Sequence, residues 1–228
     1  IRVVEYLEKR FGCRAYLQND ANACAVAEWK YGAGKGLNNV VFLTFGTGLG
    51  AGLILNGKLY SGATDTAGEV GHIRLGEYGP VGFGKSGSFE GFCSGGGIAN
   101  LGRIYAQEAF QSGKCVSYCK NAEYMPKINA KEIAELTQGG DADAKRVFDE
   151  CGKKLGMGLS IIIDILNPDA IILGSIYLRC ENLLKDAALS VIEKEALLQP
   201  RTACKIVSAG LGEKLGDYAA LSIAAMNL

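Results

Sequence analysis

The sequence has little that would draw it to nucleic acid or hold it in a membrane. Its 228 residues carry 24 basic and 24 acidic side chains, so the formal net charge is zero. A neutral chain without a basic stripe has no field that attracts nucleic acid or anionic lipid. The longest apolar segment, 159–166, is too short for a bilayer and contains Asp164. We therefore expect a globular domain that binds small molecules, with no nucleic acid or membrane partner for this region.

The start of the sequence lacks both a methionine and a basic, apolar leader. It begins at Ile1, inside a segment with the apolar spacing of an amphipathic helix. We expect that the front of the domain is missing and that the protein is cytoplasmic.

The eight cysteines do not form the regular framework of a small secreted domain. Several lie in apolar helical or strand-like segments, which predicts reduced core thiols. We expect no role for the spacing of Cys115 and Cys119, and we expect Lys153 and Lys154 to be solvated. The cysteines are at positions 13, 24, 93, 115, 119, 151, 180 and 204.

Strand and helix patterns alternate along the chain, which predicts an α/β fold. With 48% hydrophobic residues, a chain of this size buries about 70% of its unfolded surface. Residues 39–60 predict antiparallel strands, with Asn56-Gly57 as a hairpin signal. Residues 68–97 are glycine-dense and predict a long loop with one short strand at 72–75. The other predicted strands are 15–18, 170–173 and 204–207, and the helices are 1–11, 22–31, 98–111, 129–137, 143–166, 178–198 and 213–227.

A glycine-rich turn, 46–52, lies between two predicted strands. Glycines at Gly46 and Gly48 let main-chain amides approach an anion without a Cβ clash. A dinucleotide-binding turn is excluded, because that motif needs a helix directly after the glycines. The alternative is a glycine-rich hairpin that binds nothing.

Residues 79–86 match the letters of the P-loop pattern. A P-loop needs a helix immediately after Lys85-Ser86, because the helix N-terminus helps to bind phosphate. Several glycines follow instead. We therefore predict that this segment is not a P-loop.

Asp20 follows the predicted strand 15–18 and precedes a helix. That placement puts a carboxylate at the ligand-binding edge of a sheet, where it can accept a hydroxyl proton as a general base. The alternative is a helix cap, since Asp is an ordinary residue at a helix N-terminus.

Glu69 and His72 lie three residues apart in a glycine-flanked segment. A carboxylate acceptor and an imidazole suit a pair of neighbouring hydroxyls. His72 is the only histidine, and a lone histidine is more often structural than a ligand.

This ordered set of motifs resembles the ROK family of sugar kinases and sugar-responsive repressors, within the actin and hexokinase ATPase architecture. The most specific pieces are the runs 19–23 (Asn-Asp-Ala-Asn-Ala) and 67–72 (Ala-Gly-Glu-Val-Gly-His). The resemblance implies an actin-like, ribonuclease H-like lobe with a mixed sheet flanked by helices. It implies that residues 1–20 are the tail of a largely missing amino-terminal lobe and that residues 21–228 are the large lobe.

The resemblance also implies a role for each site residue. Asp20 is the general base, and Asn19, Glu69, His72 and Glu90 bind the sugar. Gly46, Thr47 and Gly48 form a phosphate-binding loop, and Gly174, in the small-residue turn after strand 170–173, borders the nucleoside site.

The chain departs from the family's zinc pattern. Zinc-containing members bind the metal with a histidine and three cysteines. In this chain, the three cysteine positions are occupied by Val81, Phe83 and Ser88. One histidine cannot form the four-ligand shell of structural zinc, and Cys93 does not repair it. We therefore expect no zinc, and we predict that Val81, Phe83 and Phe89 stabilise the loop by apolar packing.

Taken together, the sequence predicts an ATP-dependent hexose or N-acetylhexosamine kinase that requires Mg²⁺. The resemblance suggests a homodimer, and the missing lobe implies that this chain alone has little activity. Two alternatives remain: the sugar-sensing domain of a repressor with a separate DNA-binding domain, and a non-catalytic sugar-binding remnant.

Overall fold

A computed structural model describes residues 2–226. Its main sheet has five strands in the order β3-β2-β1-β6-β7. Strand β2 is antiparallel to both β1 and β3, whereas β6 runs parallel to β1 and β7 runs parallel to β6. The strands are β1 Val40–Phe45, β2 Leu49–Leu55, β3 Lys58–Tyr60, β6 Ala170–Leu173 and β7 Lys205–Ser208, and a separate small hairpin is formed by β4 Val81–Gly82 and β5 Lys85–Ser86. The predicted antiparallel centre and α/β class are confirmed.

Nine α-helices and three short 3-10 segments accompany these strands within residues 2–226. The helices are α1 Val3–Phe11, α2 Asp20–Tyr31, α3 Phe89–Phe92, α4 Gly95–Gln111, α5 Ala130–Gln138, α6 Ala142–Leu166, α7 Ile176–Glu195, α8 Leu198–Ala203 and α9 Leu215–Met226. The 3-10 segments are Val70–His72, Ala122–Lys127 and Gly212–Lys214.

The main sheet is covered on both faces, and β1 shows why. Alternate side chains of a strand point to opposite faces. Val40 and Phe42 belong to the core under α2 and α9, whereas Val41, Leu43 and Phe45 belong to the larger core under α4, α6 and α7. A strand buried on both faces reads as a continuous apolar run, which is why β1 and β6 are recognisable in the sequence.

Several predicted turns and caps are confirmed. Asn56 and Gly57 both have positive φ (52° and 70°), as a tight hairpin turn requires. The Asn129 side chain accepts a hydrogen bond from Glu132 N and begins α5. Helix α6 ends at Leu166, where Asn167 adopts a left-handed conformation.

Other predictions at the chain ends and around residue 15 are wrong or fall outside the structure. Residues 15–18 are not a strand, and no strand of the described sheets pairs with them. The helix predicted over 178–198 is two helices, α7 and α8, separated by an extended Ala196. The closing helix was predicted to reach Asn227, which lies outside the described residues.

The segment 68–97 is more ordered than the predicted loop. It contains the 3-10 turn at 70–72 in place of the predicted strand 72–75, the β4-β5 hairpin, α3 and the start of α4. Side-chain caps explain both helices, since Ser88 accepts from Gly91 N and Ser94 accepts from Gly97 N. Serine caps of this kind begin α4 at Gly95, three residues before the predicted start at Ile98.

Thiols and surface lysines differ in part from expectation. All eight cysteines are free, and five are buried, but Cys13 and Cys115 are exposed rather than core residues. The Lys154 side chain is 17% exposed, not solvated. Its Nζ donates to Leu75 O at 3.1 Å and lies 4.9 Å from the Phe92 ring centroid. In residues 2–226, no helix has the length and apolar character needed to cross a bilayer.

Candidate functional site

The start of α2 presents the two polar residues that the sequence placed at a strand end. Asn19 is the helix cap, because its Oδ1 accepts a hydrogen bond from Asn22 N at 3.2 Å. Asp20 is the first helical residue, and its Oδ1 accepts from Ala21 N at 2.8 Å. The capping role considered for Asp20 therefore belongs to Asn19. With its oxygen engaged, Asn19 has its amide N–H groups left as donors toward a ligand.

The turn between β1 and β2 is held in shape by its own main chain and by α4. Gly46 N donates to Gly48 O at 3.0 Å, and Gly95 N donates to Gly46 O at 2.8 Å. The turn therefore sits directly beside the N-terminus of α4, where unpaired amides favour anions.

Glu90 reaches the same turn from α3. Its Oε2 accepts a hydrogen bond from Leu49 N at 3.0 Å. A Cβ added at Gly48 would lie 2.8 Å from that oxygen, so the carboxylate fits only because residue 48 is glycine. Glu90 thus holds the turn as well as facing the space beside it.

One cavity of about 480 Å³ joins most of the predicted site residues. Asp20, the turn, Glu69 and Glu90 all line it. Its described lining contains four carboxylates and no Lys, Arg or His side chain. Predicted residues in the lining are Asn19, Asp20, Gly46, Thr47, Gly48, Glu69 and Glu90, and residues that the sequence analysis missed include Cys24, Asp65, Ser175 and Leu215.

Asp65 is an acidic lining residue that the sequence analysis missed. The signal that could have found it is its position, four residues before Glu69. Its φ is 56°, in the left-handed region that Asp tolerates better than most residues. It adds a fourth acidic side chain to the cavity wall.

His72 lies in a neighbouring cavity rather than in the main one. That cavity, of about 450 Å³, shares Leu49, Glu69 and Glu90 with the first. The His72 ring meets the Phe83 ring edge-on, with centroids 6.3 Å apart. His72 and Asp20 therefore line different cavities, and Glu69 and Glu90 line both.

Gly174 does not line the main cavity, but the residue after it does. A Cβ at Gly174 would approach the Phe42 ring to 2.9 Å, so packing requires glycine there. Ser175, with φ 58°, lines both the main cavity and a third cavity of about 460 Å³ that also contains Gly95, Lys131 and Arg179. Both basic residues escaped the sequence analysis, because helices α5 and α7 meet only in the folded chain.

Two of the three residues that were predicted to stabilise the loop by apolar packing do not do so. Val81 is 54% exposed and Phe83 is 90% exposed, so the predicted apolar packing is wrong for both residues. Phe89 is fully buried against Gly158, as predicted. Val81 lies in β4 and Phe83 lies in the turn that joins β4 to β5, and this small hairpin leaves both side chains largely exposed.

The P-loop interpretation was rightly excluded. Lys85 lies in β5, and the next helix, α3, begins at Phe89 and has only four residues. The Lys85 ammonium donates to the main-chain oxygen of His72 at 2.6 Å.

Cys24, which lines the main cavity, has a thiol of lowered acidity. Burial, together with smaller effects of the negative charges of Asp20 and Glu28, raises the pKa of its thiol to about 11. A thiol with this pKa is protonated and unreactive near neutral pH.

Comparisons with known proteins show the family of this chain. The ROK family model matches residues 1–226. The glucokinase of Halalkalibacterium halodurans is 33% identical over 170 residues, which cover 74% of this chain and 50% of that protein. The DNA-binding transcriptional dual regulator NagC of Escherichia coli is 27% identical over 228 residues, which cover 99% of this chain and 54% of that protein.

A solved structure of a ROK family protein has a similar fold. The crystal structure of a ROK family glucokinase from Streptomyces griseus, in complex with glucose and AMPPNP, is 30% identical with a TM-score of 0.79 and covers 97% of this chain and 72% of that one. The mixed sheet and its flanking helices therefore define a lobe of the actin-like ATPase fold. Within that class, the chain belongs to the ROK family. It spans about half the length of the curated relatives that it matches.

Proposed function

We propose that the chain is the large lobe of an ATP-dependent kinase for a hexose or N-acetylhexosamine. The observation that carries the proposal is the cavity of about 480 Å³ in which Asp20 and the glycine turn line the same space. Phosphoryl transfer needs a base for the acceptor hydroxyl and main-chain donors for phosphate in one place. The similarity to glucokinases adds support.

In this proposal Asp20 accepts the proton of the sugar hydroxyl. The freed oxygen attacks the γ-phosphorus of ATP, and the bond from that phosphorus to the β,γ-bridging oxygen breaks. Asn19, Glu69 and Glu90 orient the sugar ring in the main cavity, while His72 contacts it from the neighbouring cavity.

The nucleotide then occupies the side of the turn that faces α4. Gly46, Thr47 and Gly48 hold the phosphates, and the Gly174-Ser175 turn borders the nucleoside. The cavity with Gly95, Lys131 and Arg179 continues this path and supplies two basic side chains near a polyanion. The path supports the assignment because Lys131 and Arg179 are the only Lys or Arg side chains among the described lining residues of these three adjoining cavities.

Magnesium fits the donor set of the cavity. Mg²⁺ prefers carboxylate, phosphate and water oxygens and rarely has an all-protein shell. The carboxylates of Asp20 and Asp65 line the main cavity together with the turn that is proposed to hold the phosphates. When bound, the ion offsets charge on the phosphate oxygens.

The remaining expectations belong to the same proposal. Residues 1–20 are assigned to the tail of an amino-terminal lobe and residues 21–228 to the large lobe, in a cytoplasmic homodimer. Because the relatives are about twice as long, we propose that the chain alone has low activity.

Binding and turnover measured separately test the proposal. We expect calorimetry to detect binding of AMPPNP and of at least one of glucose and N-acetylglucosamine. We expect ADP to be formed slowly, because the chain alone is proposed to have low activity. Asp20→Asn should lower turnover by about 10² to 10⁴ while leaving AMPPNP binding intact. Asp186→Asn, an exposed acid on α7, is the matched control and should change neither. Failure of AMPPNP to bind would contradict the kinase.

A second candidate is the sugar-sensing domain of a transcriptional repressor. It is favoured by the similarity to NagC, which extends over 99% of this chain. A sensor has no need of nucleotide phosphates. Hexose binding without AMPPNP binding would therefore support the sensor, or a non-catalytic remnant, over the kinase.

A further inference from the structure

Two chain segments carry the proposed sugar contacts and lie side by side. Residues 70–76, here called the histidine segment, pair with the residues that follow β5. Leu75 N donates to Gly87 O at 2.8 Å, and Phe89 N donates to Ile73 O at 2.7 Å. The orientation of His72 relative to Glu90 therefore depends on how firmly these two segments are joined.

Two cationic side chains cross between the same segments in opposite directions. Lys85 of β5 donates from Nζ to His72 O at 2.6 Å, and Arg74 of the histidine segment donates from Nη1 to Ser86 O at 2.7 Å. Hydrogen bonds from charged donors are stronger than neutral ones. We call this pair of bonds the cationic clasp.

The residues at this place do not fit zinc. Structural zinc takes four nitrogen or sulfur ligands in a closed shell. Val81 and Phe83 have no donor atom and are 54% and 90% exposed, and the Ser88 hydroxyl is engaged by Gly91 N and Gly82 O. Within residues 2–226, no group of three or more metal-ligating side chains is close enough to bind an ion.

We propose that the cationic clasp joins the histidine segment to the β4-β5 hairpin in place of a metal. Lys85 and Arg74 are positioning residues: each donates a hydrogen bond to a main-chain carbonyl of the opposite segment, and together they set where His72 stands. The chain thus keeps its sugar-contact geometry without zinc. The consequence for sugar affinity rests on the proposed function, whereas the structural role of the clasp does not.

Amide hydrogen exchange of the whole chain tests the structural role directly. Lys85→Met and Arg74→Met keep an unbranched side chain and remove both charged donors. In the double variant, exchange at Leu75 N and Phe89 N should become about three- to tenfold faster, while Ile54 N in the main sheet is unchanged. Lys58→Met, on the β2-β3 hairpin, is the matched control and should leave all three rates unchanged.

The same measurement with a chelator tests the absence of metal dependence. In the wild-type chain, EDTA should leave the Leu75 and Phe89 rates unchanged, and metal analysis should find only substoichiometric zinc. Faster exchange after chelation, or stoichiometric zinc bound through His72, would overturn the proposal. Unchanged exchange in the double variant would also overturn it.

Sugar and nucleotide affinities separate this inference from the proposed function. In the double variant, hexose affinity should fall about three- to tenfold while AMPPNP affinity stays constant, since the turn at 46–48 is outside the clasp. A wild-type chain that binds no hexose would contradict the proposed function. The structural role of the clasp would still be tested by amide hydrogen exchange. Equal hexose affinities in wild type and double variant would show that the clasp does not position His72.

Discussion

Glu90 and Leu49 are joined by a hydrogen bond in which the Glu90 carboxylate accepts from the Leu49 main-chain N–H at 3.0 Å. Leu49 begins β2 directly after the glycine turn, and Glu90 belongs to the segment that carries the proposed sugar contacts. The bond therefore couples the proposed phosphate side of the cavity to its sugar side. Both sides are expected to respond when Glu90 is changed.

Replacing Glu90 by alanine should weaken both ligands. Removing the acceptor leaves Leu49 N unpaired, and a lost hydrogen bond to a charged partner costs about 1.5 to 3 kcal/mol. We expect AMPPNP affinity to fall about tenfold and hexose affinity to fall at least as much, as measured by calorimetry.

Glu90→Gln separates the two roles. Its amide oxygen can still accept from Leu49 N, so AMPPNP affinity should stay near the wild-type value while hexose affinity falls. An equal loss of AMPPNP affinity in the Gln and Ala variants would show that the hydrogen bond does not support the turn.

The two glycines of the turn should differ in their tolerance of alanine. A Cβ at Gly48 would lie 2.8 Å from Glu90 Oε2, whereas at Gly46 the nearest atom outside the turn is Ser175 Oγ at 3.4 Å. Gly48→Ala must displace the carboxylate and should lower AMPPNP affinity. Gly46→Ala is the matched control and should retain most of it. A wild-type affinity in Gly48→Ala would contradict the role given to this contact.

The sequence was sufficient to predict elements whose signal is local. Strands β1 and β6 are β-branched runs buried on both faces, and the turn at Asn56-Gly57 needs only two residues to specify it. The strand predicted at 15–18 was wrong because a strand needs a partner, and short apolar runs do not reveal one. Asp20 nevertheless lines the cavity, because the start of α2 alone was enough to aim it there.

Features made by distant residues could not be predicted. The Glu28 carboxylate accepts hydrogen bonds from Gly210 N and Leu211 N, which lie 182 and 183 residues further along the chain. We call these bonds, together with the one from Ala33 N, the Glu28 network. Phe83 looked like a packing residue because its chemistry is apolar, but its place at a hairpin tip leaves it exposed. Composition alone does not tell which side of a hairpin has a neighbour.

The Glu28 network should be important for stability. The Glu28 side chain is fully buried, and it accepts from Ala33 N at 2.8 Å, Gly210 N at 3.0 Å and Leu211 N at 2.9 Å. In Glu28→Gln one oxygen becomes an NH₂ group that faces an N–H donor. We expect a loss of about 1 to 3 kcal/mol, which lowers Tm by about 2–4 °C per kcal/mol in a chain of this size.

Thermal unfolding followed by circular dichroism measures this loss. Glu193→Gln removes an exposed acid from α7 and serves as the control, with an expected Tm within the experimental error of wild type. If Glu28→Gln unfolds at the wild-type Tm, the three amides must find other acceptors and the network has no stabilising role.

The acidity of Cys24 offers a test of the cavity that is independent of activity. Burial, the largest cause, and the charges of Asp20 and Glu28 together raise the pKa of this thiol to about 11. Only the thiolate is alkylated, so the rate should rise with pH from 7.5 to 9.5 without reaching a plateau. Asp20→Asn removes one of the charges, lowers the pKa of Cys24 and should speed alkylation severalfold at pH 8.

The measurement needs Cys13→Ser and Cys115→Ser as background, because these exposed thiols would react first. Asp186→Asn in that background should leave the rate unchanged, and an unchanged rate in Asp20→Asn would mean that the Asp20 carboxylate does not face the cavity wall that holds Cys24.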